Sequence, residues 1–265
     1  MCGIIGVVGD VREGDWHETH GLLTELLVQS MERGKDATGF AAVASPLDAP
    51  QRHRLLTDKA PLAADAFTST NPFWQTLKRM RCCSVIAHVR FATSGSPKDN
   101  TNNHPFVGKA NSFGYSLVHN GIISQPEEAA ERLGVRLTTD CDSEIIEKTI
   151  SVTGDIPEGL YRCLSDLRGS MAVALIEHRT GTVWLARDAN RPLWIARLHD
   201  RRRTVFASTP QIIQRAVERR LGRFGDWVDE MFPLATGHVH RLTMDGRLMA
   251  AFTLPTRYRG SVVAE

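Results

Sequence analysis

A cysteine at position 2, directly behind the initiator methionine, is the residue in this chain best placed for covalent chemistry. Removal of Met1 leaves Cys2 carrying both a thiol and a free α-amine, and the small residues at positions 2 and 3 favour that removal. A thiol of pKa ~8.5 beside an amine of ~7.7–8.0 is a nucleophile with its own base of matched strength. Such a pair needs no separate catalytic histidine. The plainer alternative is a small buried residue opening a strand. Behind it runs Ile4-Ile5-Gly6-Val7-Val8, an apolar stretch of strand length that fixes the first residue inside a fold.

Other polar groups carry simple structural readings of their own. Asn120-Gly121 is the commonest hairpin-turn dipeptide. Asp142 stands where a helix begins and reads as an N-cap, with Asp140 close by. His88, His104 and His119 match no common zinc spacing, so no metal is expected, and His88 and His119 lie on strand-like runs as core histidines do. His238 and His240 alternate on a late strand and read as structural. Arg201-Arg202-Arg203 separates two strand-like runs and reads as a solvated hairpin turn.

The elements that must position these groups alternate between strand and helix without regular βαβ repeats. Strands are expected at 3–9, 40–44, 84–91, 115–123, 170–177, 182–187, 192–197, 204–208, 237–243 and 247–253, and helices at 19–33, 72–81, 125–133, 142–153, 157–167 and 209–221. Residues 45–62 read as a loop, and strand 115–123 is expected to run into a turn at Asn120-Gly121. Residues 94–105 (SGSPKDNTNNHP) form a polar loop of a length that is often functional. Strands at both ends with helices between them imply two packed antiparallel sheets with helices outside, and residues 1–265 read as a single domain.

Composition narrows the function classes. With 42% hydrophobic and 23% charged residues the chain can build a full core. A net charge of +2 gives no reason to expect nucleic acid. No stretch approaches membrane-spanning length and the start is not a signal peptide. Five cysteines without a CxxC indicate neither a disulfide framework nor a thiolate metal site, so a reducing, cytoplasmic compartment is expected.

Several segments, in order along the chain, carry a resemblance: CGIIGVVG (2–9), RGKDATGFA (33–41), AHVRFATSG (87–95), NNHPF (102–106), LVHNGII (117–123), TTDCDSE (138–144), ARDANRPLWIA (186–196) and FASTPQII (206–213). Each is weak alone. Together they resemble the glutaminase domain of class II glutamine amidotransferases, which are N-terminal nucleophile hydrolases, as in glucosamine-6-phosphate synthase and amidophosphoribosyltransferase. The resemblance covers Cys2 to about Leu254. It implies an α+β, four-layer αββα sandwich of two mainly antiparallel sheets, with L-glutamine as substrate and no cofactor.

The same resemblance implies the roles. Cys2 attacks the side-chain amide carbon, its α-amine moves the proton, and a thioester forms. Asn120 through its side-chain amide and Gly121 through its backbone N–H hold the developing oxyanion. Arg90 pairs with the substrate α-carboxylate, Thr93 adds a hydroxyl, and Asp142 accepts from the α-ammonium, in preference to Asp140. Arg33 and Asp36 form a supporting pair near Cys2, with Gly34 and Gly39 in the tight turn there. Loop 94–105 closes over the substrate. Phe91 stands where the family often has Trp or Tyr, and Ser94 where it often has His or Ala, which opens an alternative substrate, another γ-glutamyl compound. A non-catalytic module that binds glutamine or regulates a partner is the alternative from another class. The chain holds no sugar-phosphate isomerase, phosphoribosyl-pyrophosphate or ATP-pyrophosphatase motif, so an ammonia-accepting synthase is expected in trans.

Overall fold

The computed structural model describes residues 1–9, 15–46, 53–199 and 203–253. β1 (Gly3–Gly9) leads to α1 (Asp15–Gln29), then β2 (Ala37–Pro46) and β3 (Arg54–Ala60). Two short helices, α2 (Ala64–Thr70) and α3 (Pro72–Leu77), precede β4 (Met80–Arg90), β5 (Phe106–Ala110) and β6 (Phe113–Ile123). Helices α4 (Pro126–Leu133), α5 (Glu144–Thr153) and α6 (Ile156–Asp166) follow, then β7 (Gly169–Glu177), β8 (Val183–Arg187), β9 (Trp194–Leu198) and β10 (Arg203–Ala207). The last elements are α7 (Pro210–Arg220), α8 (Phe224–Trp227), β11 (Val228–Pro233), β12 (His238–Leu242) and β13 (Leu248–Thr253).

The strands form a seven-stranded sheet, β11-β9-β10-β1-β4-β2-β3, and a six-stranded sheet, β13-β12-β8-β7-β6-β5. Successive side chains along a strand face opposite ways, and this alternation builds three apolar layers. Ile4, Val8 and Ile86 of the first sheet meet Val118, Ala174 and Ile176 of the second, forming the core between the sheets. Ile5, Val7 and Val89 turn outward onto Leu22, Leu23 and Leu26 of α1 and Ile213 of α7. Leu117, Val173 and Leu175 turn the other way onto Ile145 and Ile146 of α5 and Leu160 of α6. The order is helix, sheet, sheet, helix: an α+β sandwich of the expected kind, with every sheet pairing antiparallel among the described residues. Central β1 is buried on both faces, so its sequence is continuously apolar rather than alternating.

Four expectations need correcting. Residues 54–60, read as part of a loop, are edge strand β3, whose polar Arg54, Asp58 and Lys59 concealed it. Strands β5 and β11 and helices α2 and α8 were not anticipated. Arg203 is not in a solvated turn: it begins β10, is buried, and reaches Glu18 Oε1 at 2.8 Å and Thr19 Oγ1 at 3.0 Å, while Arg201 and Arg202 lie outside the described residues. Asn120-Gly121 is not a turn either: β6 runs straight through both, with Asn120 opposite Ala172 and Gly121 opposite Met171 of β7.

Candidate active site

The end of β1 places Cys2. Gly3 pairs with Val89 and Ile4 with His88, so Cys2 emerges beside Arg90 and Phe91 at the end of β4. The Phe91 N–H lies 3.4 Å from Cys2 Sγ, and the thiol 3.5 Å from the Phe91 carbonyl oxygen. Arg33, just past the 3-10 turn Ser30–Glu32, donates Nε to the Cys2 carbonyl at 2.7 Å. Gly34 is required by a close approach, since a Cβ there would sit 2.4 Å from the Arg90 carbonyl. The expected pair between Arg33 and Asp36 is absent. Asp36 instead accepts from the Ala92 N–H at 2.8 Å, and its own N–H donates to the Arg90 carbonyl at 3.0 Å. Each residue fixes a different strand end around the thiol. Gly39 is not in that turn but on β2, opposite His88 and Lys59.

Burial pushes the Cys2 thiol pKa up. The Phe91 N–H, the N-terminal ammonium and Arg90 pull the other way, and Asp142 adds to the rise. A thiol held up in this way stays protonated near neutrality and requires a base to become a nucleophile.

The second sheet carries Asn120 and Gly121. Asn120 shares the inward face of β6 with Val118, pointing into the gap between the sheets. Cys2 stands two residues before Ile4, which faces that same gap. Asn120 is 1% exposed, and its Nδ2 has no hydrogen-bond partner. A buried donor left unpaired costs about 1–3 kcal/mol, so its place calls for a functional account. Gly121 turns its N–H to the open edge of the second sheet. The bonds of Ser124 N–H to Arg168 O and His178 N–H to Gly114 O set the ladder so that even-numbered residues of β6 bond β7. Odd-numbered N–H groups therefore face the opposite edge, which β5 covers only between Phe113 and Leu117. Gly121 has no positive φ; glycine is needed there because a Cβ would lie 1.8 Å from the Ser170 carbonyl oxygen.

Asp142 closes this edge. Its Oδ2 accepts from the Ile123 N–H at 2.6 Å, and its Oδ1 lies 3.4 Å from Ser94 Oγ. Helix α5 begins at Glu144 with Ser143 in the capping position, so Asp142 is no N-cap. Asp140 is exposed, and its N–H is held by Asn102 Oδ1 at 2.9 Å. Arg90 is buried and its guanidinium grips loop 94–105: Nη1 donates to Asn103 Oδ1 at 2.8 Å, and Nη2 to the carbonyls of Ser94 and, at 3.0 Å, Gly95. Thr93 is exposed at the start of that loop.

Three buried histidines lie behind the site. The His88 ring packs on His104 with centroids 4.2 Å apart, and His104 lies 6.5 Å from His119. His88 Nε2 donates to the His119 carbonyl at 3.0 Å, tying β4 to the residue before Asn120. His119 meets Ser143 Oγ through Nδ1 at 2.8 Å and the Ser170 carbonyl through Nε2 at 3.4 Å. Burial lowers all three pKa values, that of His88 to about 3, so the rings are neutral spacers. His238 and His240 lie together on β12, centroids 5.7 Å apart.

Two contributors escaped sequence reasoning. Lys59, in the stretch read as loop, clamps the polar loop by donating to the carbonyls of Asn103 at 2.6 Å and Pro105 at 3.2 Å. Arg191, inside ARDANRPLWIA but without an assigned role, reaches Met1 Sδ at 3.4 Å. The motif was the only signal for the second, and nothing marked the first.

Comparison with known proteins agrees with this geometry. A glutamine amidotransferase domain model matches residues 88–215. The glutamine–fructose-6-phosphate aminotransferase of Pectobacterium atrosepticum is 28% identical over 74% of this chain and 30% of its own. That of Chlamydia pneumoniae is 32% identical over 66% of this chain and 27% of its own. The chain thus spans under a third of the length of these curated relatives. Among solved structures, glutamine phosphoribosylpyrophosphate amidotransferase from B. subtilis shares the fold at a TM-score of 0.68 and 21% identity, covering 94% of this chain and 48% of that one. A glutamine aminotransferase class-II domain protein from Silicibacter pomeroyi shares it at a TM-score of 0.52 and 14% identity, covering 96% and 100%. The matched residues include the strand end at Arg90, Asn120-Gly121 and Asp142, and the sandwich brings that strand end to Cys2. Residues 88–215 thus match a glutamine amidotransferase domain, most of the chain is similar to the fructose-6-phosphate aminotransferases, and the whole has the fold of the phosphoribosylpyrophosphate enzyme.

Proposed function

We propose that this chain, once Met1 is removed, hydrolyses the side-chain amide of L-glutamine to glutamate and ammonia. The observation that carries the reading is the unpaired Nδ2 of buried Asn120, on the inward face of β6. The Cys2 thiol gives its proton to the neutral α-amine, and sulfur attacks the amide carbon. Negative charge on the former carbonyl oxygen is met by Asn120 Nδ2 and the Gly121 N–H. The tetrahedral species collapses, the amine's proton leaves with ammonia, and a thioester on Cys2 remains. Water attacks the thioester and releases glutamate with the thiol restored. The Asp142 carboxylate receives the substrate ammonium. Arg90 and Thr93 receive the carboxylate as loop 94–105 closes, and Arg33 and Asp36 hold the strand ends.

Ammonia passes to an acceptor enzyme, which we place in trans. Proteins of this family named as aminotransferases and amidotransferases couple glutamine to an acceptor, and this supports the hand-over. Among the described residues no helix is long and apolar enough to cross a membrane. We place the protein in the cytoplasm because Cys2 must remain a free thiol.

A second reading, hydrolysis of another γ-glutamyl compound, is favoured by one feature: Ser94 engages both recognition groups, with its carbonyl on Arg90 and its hydroxyl toward Asp142. Glutamate release by Met1-free protein, verified by intact mass, tests the primary reading. Cys2→Ala should abolish release without unfolding the protein, and unchanged turnover in that variant would falsify the mechanism. A panel of γ-glutamyl amides separates the two substrates.

A further inference from the structure

Residue 1 sits between two guanidinium groups that the mechanism above leaves without a chemical task. Arg191 Nη1 lies 3.4 Å and Arg33 Nη2 3.9 Å from Met1 Sδ. Both cations are fixed in place. Arg33 is buried and holds the Cys2 carbonyl through Nε. Arg191 donates Nε to Ser170 Oγ at 2.9 Å and its backbone N–H to Asp188 Oδ1 at 3.0 Å. Removal of Met1 takes away the thioether both touch and leaves the new α-amine of Cys2 as the polar group of the terminus.

We propose that Arg191, acting with Arg33, is a positioning residue whose fixed charge keeps the Cys2 α-amine neutral, and therefore basic, at physiological pH. The inference rests on the proposed glutaminase reading and assigns the tuning of its base. A like charge disfavours the ammonium form, so two cations beside the terminus lower the pKa of its amine. A general base works best when its pKa lies near the working pH.

The field at residues 1 and 2 is set by cations and carboxylates together. From β4, Arg90 adds a third positive charge that acts on Cys2. The carboxylates nearby stay charged and oppose the cations, Asp142 acting on Cys2 directly, while each is also held by donors of its own. Asp188 accepts from the N–H groups of Met171, Asn190 and Arg191. Asp36 holds the Ala92 N–H, Asp142 holds the Ile123 N–H, and Glu32 pairs with Arg215. The histidine nearest the donors, His119, is neutral. Burial lowers the Arg33 pKa, and repulsion from Arg191 adds to the fall.

The test reads the amine directly. Met1-free wild type, Arg191→Gln and Arg191→Lys are titrated by competitive acetylation, followed on the N-terminal peptide by mass spectrometry. Glutamate release is measured on the same samples across pH. Arg191→Gln should raise the amine pKa by about half to one pH unit and carry the acid limb of kcat/KM upward by the same amount. Arg191→Lys, which keeps the charge, should stay near wild type, and KM should change little in either variant. In wild type, raising salt from low to high should raise the amine pKa part of the way, a check that needs no variant to fold. An unchanged amine pKa in Arg191→Gln, with release intact, overturns the proposal. A raised KM with an unchanged amine also overturns it and gives Arg191 to the substrate carboxylate instead. Absence of glutamate release from wild type at every pH sinks the glutaminase reading, while the amine titration still decides the effect of Arg191.

Discussion

Replacing Asn120 by alanine separates catalysis from stability by sign. The side chain is 1% exposed and its Nδ2 lacks a partner. In the resting fold that orphaned donor costs about 1–3 kcal/mol. Its removal returns this energy, less about 1 kcal/mol for the lost packing of one small buried group. Stability should therefore hold or rise, with Tm unchanged or a few degrees higher at about 2–4 °C per kcal/mol for a chain of this size. Catalysis should move the opposite way. One oxyanion donor contributes about 2.7–4 kcal/mol to the barrier, so kcat should fall by about 10²–10³-fold. The donor acts on charge that develops only in the transition state, so KM should stay close to wild type. The assay is steady-state glutamate release beside thermal unfolding of the same preparation. A Tm lowered by several degrees would make Asn120 a structural residue and refute the reasoning. A kcat within a few-fold of wild type would do the same from the other side.

Three further outcomes follow from the geometry. Gly121→Ala puts a Cβ 1.8 Å from the Ser170 carbonyl oxygen and 2.4 Å from His119 Nε2, so it should cost about 1–3 kcal/mol of stability and most of the activity; an unchanged melt would show that β6 and β7 separate easily there. Asp142→Ala should raise KM for glutamine at least tenfold and, by freeing the Ile123 N–H, lower stability by about 1–2 kcal/mol; an unchanged KM would remove Asp142 from the substrate site. His88 is held neutral by burial, its pKa depressed to about 3 against an unfolded value of about 6.5. The unfolded chain therefore binds the extra proton first, and the stabilisation present above pH ~6.5 drains away as pH falls towards 3, by up to about 1.4 kcal/mol per pH unit for this ring. Thermal melts between pH 6.5 and 5 should fall less steeply in His88→Asn, and equal slopes would contradict the assignment.

Much of the fold was legible because it was locally encoded. The run at 3–9 could only be a buried strand, and the leucines of α1 repeat at helical spacing toward the first sheet. Asn71 before Pro72 marked a helix start, and its Oδ1 indeed accepts the Trp74 N–H at 2.9 Å. Edge strand β3 was hidden because an edge exposes half its side chains, so charged residues interrupt the pattern. Asn120-Gly121 misled for a related reason. The dipeptide favours a turn locally, but pairing with β7 on one side outweighs that preference.

Taken alone, the sequence determined which chemical groups exist: a thiol one removable residue from the start, an Asn-Gly pair, an Arg at a strand end and an Asp before a helix. Tertiary structure decided how those groups are employed. It left the Asn120 donor unpaired, turned Asp142 from a helix cap into the acceptor for the Ile123 N–H, bound Arg90 to the polar loop, and set Arg191 beside residue 1 across 190 positions of chain. The physical reason is that hydrogen-bond satisfaction and burial depend on partners distant in sequence, and only the packing of one sheet on the other brings those partners together.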